Sequence, residues 1–138
     1  MNKIFAIANA IAAELNREFA DRFTAVVTPL PETALDELAG IKVSVVPKSL
    51  APQQMTRSGR TDNYTVDIGI QAKLAGTPEA EIPTFVELTQ RVLDFMWARP
   101  LPTVPTVFIS AEIDPIYSTE HLRQFRVFTS VVSVTYRQ

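Results

Sequence analysis

Between Ile41 and Leu74 apolar side chains recur at every second residue, and no other pattern in the chain restricts the fold as tightly. Ile41, Val43 and Val45 share one face of the first run. Tyr64, Val66, Ile68, Ile70 and Leu74 share one face of the second, with Thr65, Asp67, Gln71 and Lys73 on the other. A period of two is the mark of strands with one buried and one wet face. Between the runs lies Lys48 to Asn63, a polar stretch containing Pro52 and Gly59 with almost nothing to bury. It reads as a long loop, well beyond the roughly two to five residues of an ordinary hairpin connection.

Two stretches carry the helical period instead. In residues 3–20, Ile4, Ala8, Ile11, Leu15 and Phe19 recur at spacings of three and four, while Asn9, Glu14, Arg17 and Glu18 fall elsewhere on the wheel. In residues 82–98, Phe85, Leu88, Val92, Phe95 and Met96 form the apolar stripe and Glu87, Arg91 and Asp94 the wet face. Pro83 suits an early helical position, and Trp97 reads as a core or domain-edge aromatic. Phe23 to Thr28 is a short β-branched strand stopped by Pro29 and Pro31. Pro31 to Gly40 reads as a two-turn helix, with Glu32 in its first turn and Gly40 at its left-handed terminus.

Pro100, Pro102 and Pro105 make a stiff connector to a strand from Thr106 to Ile113. Ser118 or Thr119 then caps a helical turn around Glu120-His121-Leu122. In the last strand, Gln124 to Tyr136, the apolar set changes parity between Phe125, Val127 and Val132, Val134, Tyr136, which predicts a β-bulge or a change of buried face near Thr129-Ser130. The expected architecture is α+β: a mainly antiparallel sheet with two long helices on one face, in the order α-β-α(short)-β-β-α-β-β.

The length of 138 residues suits one domain spanning 1–138, large enough to fold around its own core. No cysteine is present, so neither a disulfide frame nor a thiolate metal site can form. A net charge of −2 asks for no nucleic acid. The first residues resemble a secretory signal, but Asn9 interrupts the apolar run and Glu14, Arg17 and Glu18 continue one helical pattern, so a helix of the domain is expected. No window has the ~20 apolar residues of a membrane span.

Enzymatic chemistry finds little to work with. The single histidine, His121, has no second histidine to share a metal with, and Glu112, Asp114 and Glu120 lack the spacing of a cation loop. No Gly-x-Ser-x-Gly elbow exists, and four glycines leave no phosphate-cradling loop. The expectation is a protein without catalytic residues, metal or cofactor. The polar stretch is the better candidate: Lys48, Gln53, Gln54, Arg57, Arg60 and Asp62 form a hydrogen-bonding, locally basic set suited to a subunit or partner contact. Without interleaved aromatics it makes a poor nucleic-acid patch, and a mobile surface loop is the competing reading.

Three stretches carry a resemblance: Gly40 to Pro47, Arg57-Ser58-Gly59-Arg60 leading into Tyr64 to Ile70, and Phe128 to Tyr136. Together they resemble small neck and tail proteins of long-tailed phages and prophages, of the tail terminator or tail completion type. The resemblance implies a structural protein of virion assembly, a minor tail component forming a homo-oligomeric, hexameric ring. Its implied partners are itself, the tail tube and head-connector proteins, with room for DNA to pass through the ring but no specific nucleic-acid or membrane contact. Its implied location is the host bacterial cytoplasm during assembly and then the virion tail or neck. A stand-alone protein-binding module or small regulator is the alternative.

Overall fold

The computed structural model describes residues 2–29, 40–54 and 59–138. Along them run α1 (Lys3–Glu18), β1 (Ala25–Val27), β2 (Ile41–Gln54), β3 (Arg60–Lys73), α2 (Pro78–Met96), β4 (Val107–Ile113), α3 (Thr119–Phe125) and β5 (Val127–Arg137). The strands form one sheet in the order β1-β2-β3-β5-β4. β1 runs parallel to β2, and every other pairing is antiparallel.

The fold is α+β, but the predicted order is corrected. The sheet is mixed, with three antiparallel pairings and one parallel one, and the turn expected around Glu120-His121-Leu122 is a third helix, α3, which separates β4 from β5 and which the expected order lacked. The short helix expected over Pro31 to Gly40 falls on residues outside those described, apart from Gly40 itself. At Gly40 the backbone is left-handed, with φ 70°, the conformation that glycine alone adopts without strain.

The period-two reading of β3 holds along its covered length: Tyr64, Val66, Ile68, Ile70 and Ala72 are all buried. Opposite them, Val43 and Val45 of β2 and Val132, Val134 and Tyr136 of β5 point to the same side. Both long helices lie on that side. Ile7, Ile11 and Leu15 of α1 and Leu88, Val92 and Met96 of α2 join those strand residues in a single buried cluster. Asn2 caps α1 by accepting from the Ile4 N–H at 2.9 Å. At the far end Phe19 stacks on Phe23 and meets Phe95 edge to face, tying α1 to α2.

Four local expectations change. α2 begins at Pro78, so Pro83 lies inside the helix and leaves the Glu79 carbonyl without its i+4 donor. Glu14, expected on a wet face, is only 8% exposed and accepts from Arg17 at 2.9 Å and Arg99 at 3.3 Å. For Trp97 the core reading falls and the domain-edge one stands: it is 59% exposed and packs edge to face with Phe108. The bulge expected near Thr129-Ser130 is absent, because β3 and β5 pair without a break from Asn63↔Arg137 to Lys73↔Val127. Phe125 belongs to α3, which ends in a left-handed turn at Arg126, while Val127 opens β5 buried on the face opposite Phe128, so the buried face changes at the start of the strand. The register shifts fall instead at Pro47/Ser49 in β2 and Phe108/Ser110 in β4.

Candidate assembly surface

The polar stretch after Pro47 is not a loop over most of its length. β2 continues to Gln54 and β3 resumes at Arg60, paired through Leu50↔Tyr64, Pro52↔Asp62 and Gln54↔Arg60. Residues 48–54 are exposed without exception. Seven strand residues extend about 23 Å, so this end of the hairpin is an arm rather than a turn. It holds its shape through main-chain pairing and polar side chains, since there is little apolar surface for it to bury.

Five of the predicted contact residues lie on the arm, and Arg57 falls outside the described residues. Lys48 is the extra residue at the register shift, its Nζ 4.0 Å from an Asp67 carboxylate oxygen. Gln53 accepts from Arg137 at 2.8 Å, and the same guanidinium donates to Asn63 at 3.0 Å. Arg60 forms an ion pair with Asp62 at 3.0 Å within its own strand. Asp62 also accepts from the Tyr64 hydroxyl at 3.4 Å; burial first, and then this carboxylate, raises the Tyr64 phenol above its ordinary range. Gln54 pairs opposite Arg60. The charges are therefore partly satisfied within the arm, and Arg60 meets a neighbour already carrying its counter-ion. The clamp by Arg137 was missed from sequence, where nothing marks the last strand as lying beside the arm's base.

The face of the sheet turned away from the two long helices is polar. Thr65 and Thr135 share a hydrogen bond at 2.9 Å, and Ser133 donates to Asp67 at 2.6 Å. His121 Nδ1 lies 2.8 Å from the Thr129 hydroxyl. Among the described residues no three histidine, aspartate or glutamate side chains converge as a cation site would require. A groove of about 250 Å³ lies between the end of α1 and α2, lined by Phe19 and Phe95 with Arg91 between the carboxylates of Glu18 and Asp94.

Two of the sheet's edges are guarded. Ala25 of β1 has both main-chain groups taken by one side chain: the Asn16 amide accepts from its N–H at 2.6 Å and donates to its carbonyl at 3.0 Å. On β2, Thr28 donates to the Val45 carbonyl, so Val45 and, two residues on, Pro47 turn their main chain outward. Beyond the register shift, Asp62 exchanges hydrogen bonds with Gln138 on its other side, which leaves Pro52, opposite Asp62, facing outward as well. Both prolines thus sit where an edge strand would offer a donor, and neither has one. The arm is built to be touched on its faces and not lengthened along its edge.

No protein-family model matches the chain, and no curated protein matches it significantly. Among the described residues no helix is long and apolar enough to cross a membrane.

Proposed function

We propose that this chain is a non-catalytic structural subunit of phage or prophage tail assembly, a ring-forming tail terminator or tail completion protein acting at the head–tail junction. The observation that carries the reading is the β2–β3 arm. Seven consecutive exposed residues extend from a well-packed domain, four of them polar and one a proline that interrupts edge pairing. Such an arm gives a subunit two unlike surfaces, one projecting and one on the body, and a head-to-tail contact between unlike surfaces makes a ring when its rotation closes. The sequence resemblance supplies the particular setting, with the tail tube and head connector as neighbours.

The test replaces residues 52–62 by an Asn-Gly turn, which joins the paired residues Ala51 and Asn63 in a two-residue hairpin. The body of the sheet should keep its circular dichroism and cooperative melting. Native mass across a concentration series, alone and with tail tubes, should show self-association or tube binding in the parent and its loss in the variant. Unchanged assembly in a folded variant removes the arm from the reading. A parent that neither self-associates nor binds tubes favours the stand-alone binding module.

A further inference from the structure

The third edge of the sheet has no guard. Asp114 donates to the Val131 carbonyl, so Glu112 and Asp114 turn their main chain toward β5 while Ala111 and Ile113 turn theirs outward. No proline lies between Val107 and Ile113, no side chain caps these outward groups among the described residues, and β4 ends the strand order. The rim is also apolar. Trp97, Val107, Ile116 and Tyr117 are four of the six exposed large apolar side chains described, and all four lie in or next to β4 or in the turn that follows it. It is acidic too: from Pro100 to Glu120 the chain has no lysine, arginine or histidine, while Glu112, Asp114 and Glu120 are exposed and in no ion pair.

We infer that the β4 edge takes up an extended cationic–apolar segment of a different protein chain as a sixth strand of the sheet. Strand addition explains why this edge keeps all its outward donors while the other two are interrupted, at Ala25 and at Pro47 and Pro52. The charge names the occupant. A second copy could bring β1 or β2, whose edges are guarded, or β4, which would set two acidic rims against each other with no cation between them. A foreign strand carrying lysine or arginine beside Glu112 and Asp114, with apolar residues alternating toward Trp97 and Phe108, satisfies both surfaces. This does not require that the chain forms a ring.

Trp97 is the chain's single tryptophan and stands at the rim, so its emission reports whether the edge is covered. The probe is the peptide acetyl-Lys-Val-Arg-Val-Lys-Val-amide, titrated to about 1 mM, with its glutamate counterpart and a form N-methylated on alternate amides as controls. The cationic peptide should shift Trp97 emission to the blue in a saturable, salt-sensitive way, and both controls should bind at least about tenfold more weakly. Ala111→Pro, which removes an outward donor, and Glu112→Lys should each weaken binding by a similar factor. The second keeps the test open if the first fails to fold. No saturable shift, equal binding of the glutamate or N-methylated peptide, or binding untouched by Glu112→Lys overturns the inference. So does an emission shift driven by protein concentration alone, which would mean a second copy covers the edge.

Discussion

Arg99 joins three elements, and its removal should be felt in all of them. Its Nη1 reaches Glu14 of α1 at 3.3 Å, its Nε donates to the Phe95 carbonyl at 2.9 Å, and its guanidinium lies 3.7 Å above the Phe95 ring. Its own carbonyl accepts from the Tyr136 hydroxyl of β5 at 2.7 Å. Arg99→Ala keeps that carbonyl and removes the other three contacts. The pair with Glu14 is intermediate between exposed and buried, with side chains 30% and 10% accessible, so it contributes about 1 kcal/mol rather than the larger cost of breaking a fully buried pair. The bond to the helix terminus adds about 1 kcal/mol, and the stack on Phe95 about 0.5 kcal/mol. The expected loss is about 2–3 kcal/mol, or roughly 6–10 °C in melting temperature for a domain of this size. Arg99→Lys should lose about half as much, keeping charge without the planar fork. Urea denaturation of Glu14→Gln, Arg99→Ala and the double variant measures the coupling directly, expected near 1 kcal/mol. A loss below about 0.5 kcal/mol for Arg99→Ala, or no coupling to Glu14, refutes the picture of Arg99 as the joint between helices and sheet.

Other outcomes follow from single contacts. Burial holds the Tyr136 hydroxyl up at about 12 against an ordinary value of 10.0, so its contribution is intact below pH 10 and is lost as pH rises toward 12. Stability should therefore fall by about 2–3 kcal/mol over that window, and Tyr136→Phe should flatten this part of a urea-denaturation pH profile. Asn16→Leu exposes both main-chain groups of Ala25; we expect a loss of about 1–2 kcal/mol and light scattering that rises on storage. Val substituted at both Pro47 and Pro52 restores the outward donors of β2, and sedimentation should detect new self-association without loss of secondary structure.

The sequence was most legible where burial imposes a period. Tyr64 to Ile70 alternate because one face of β3 meets the helices, and α1 and α2 show the helical spacing for the complementary reason. The strand form of the arm was not legible, because Ser49 to Gln54 are held by pairing with β3, which leaves no hydrophobic trace in exposed residues. β1 was visible as a strand but not as a parallel one, since three residues carry no directional signal. Glu14 looked solvated because its partner Arg99 is 85 positions away. The parity change was real, but no bulge causes it: Phe125 ends a helix, and Val127 is buried on the face of β5 opposite Phe128. Of the candidate surface, the composition could be read from Lys48 to Asp62. The guard on each edge could not, because it depends on which way each main-chain group points.

β5 sits between β3 and β4, yet it is the last described strand to be synthesised. Until Arg137 clears the ribosome, β4 has no strand to pair with and β3 shows its whole inner edge to solvent. The pairs that close the sheet link residues from Lys73↔Val127 to Asn63↔Arg137, distant enough in sequence to slow folding. A β2–β3 hairpin formed before that point would carry prolines on its outer edge and nothing on its inner one. Adding β5 is the step that covers the inner edge of β3 and gives β4 its partner.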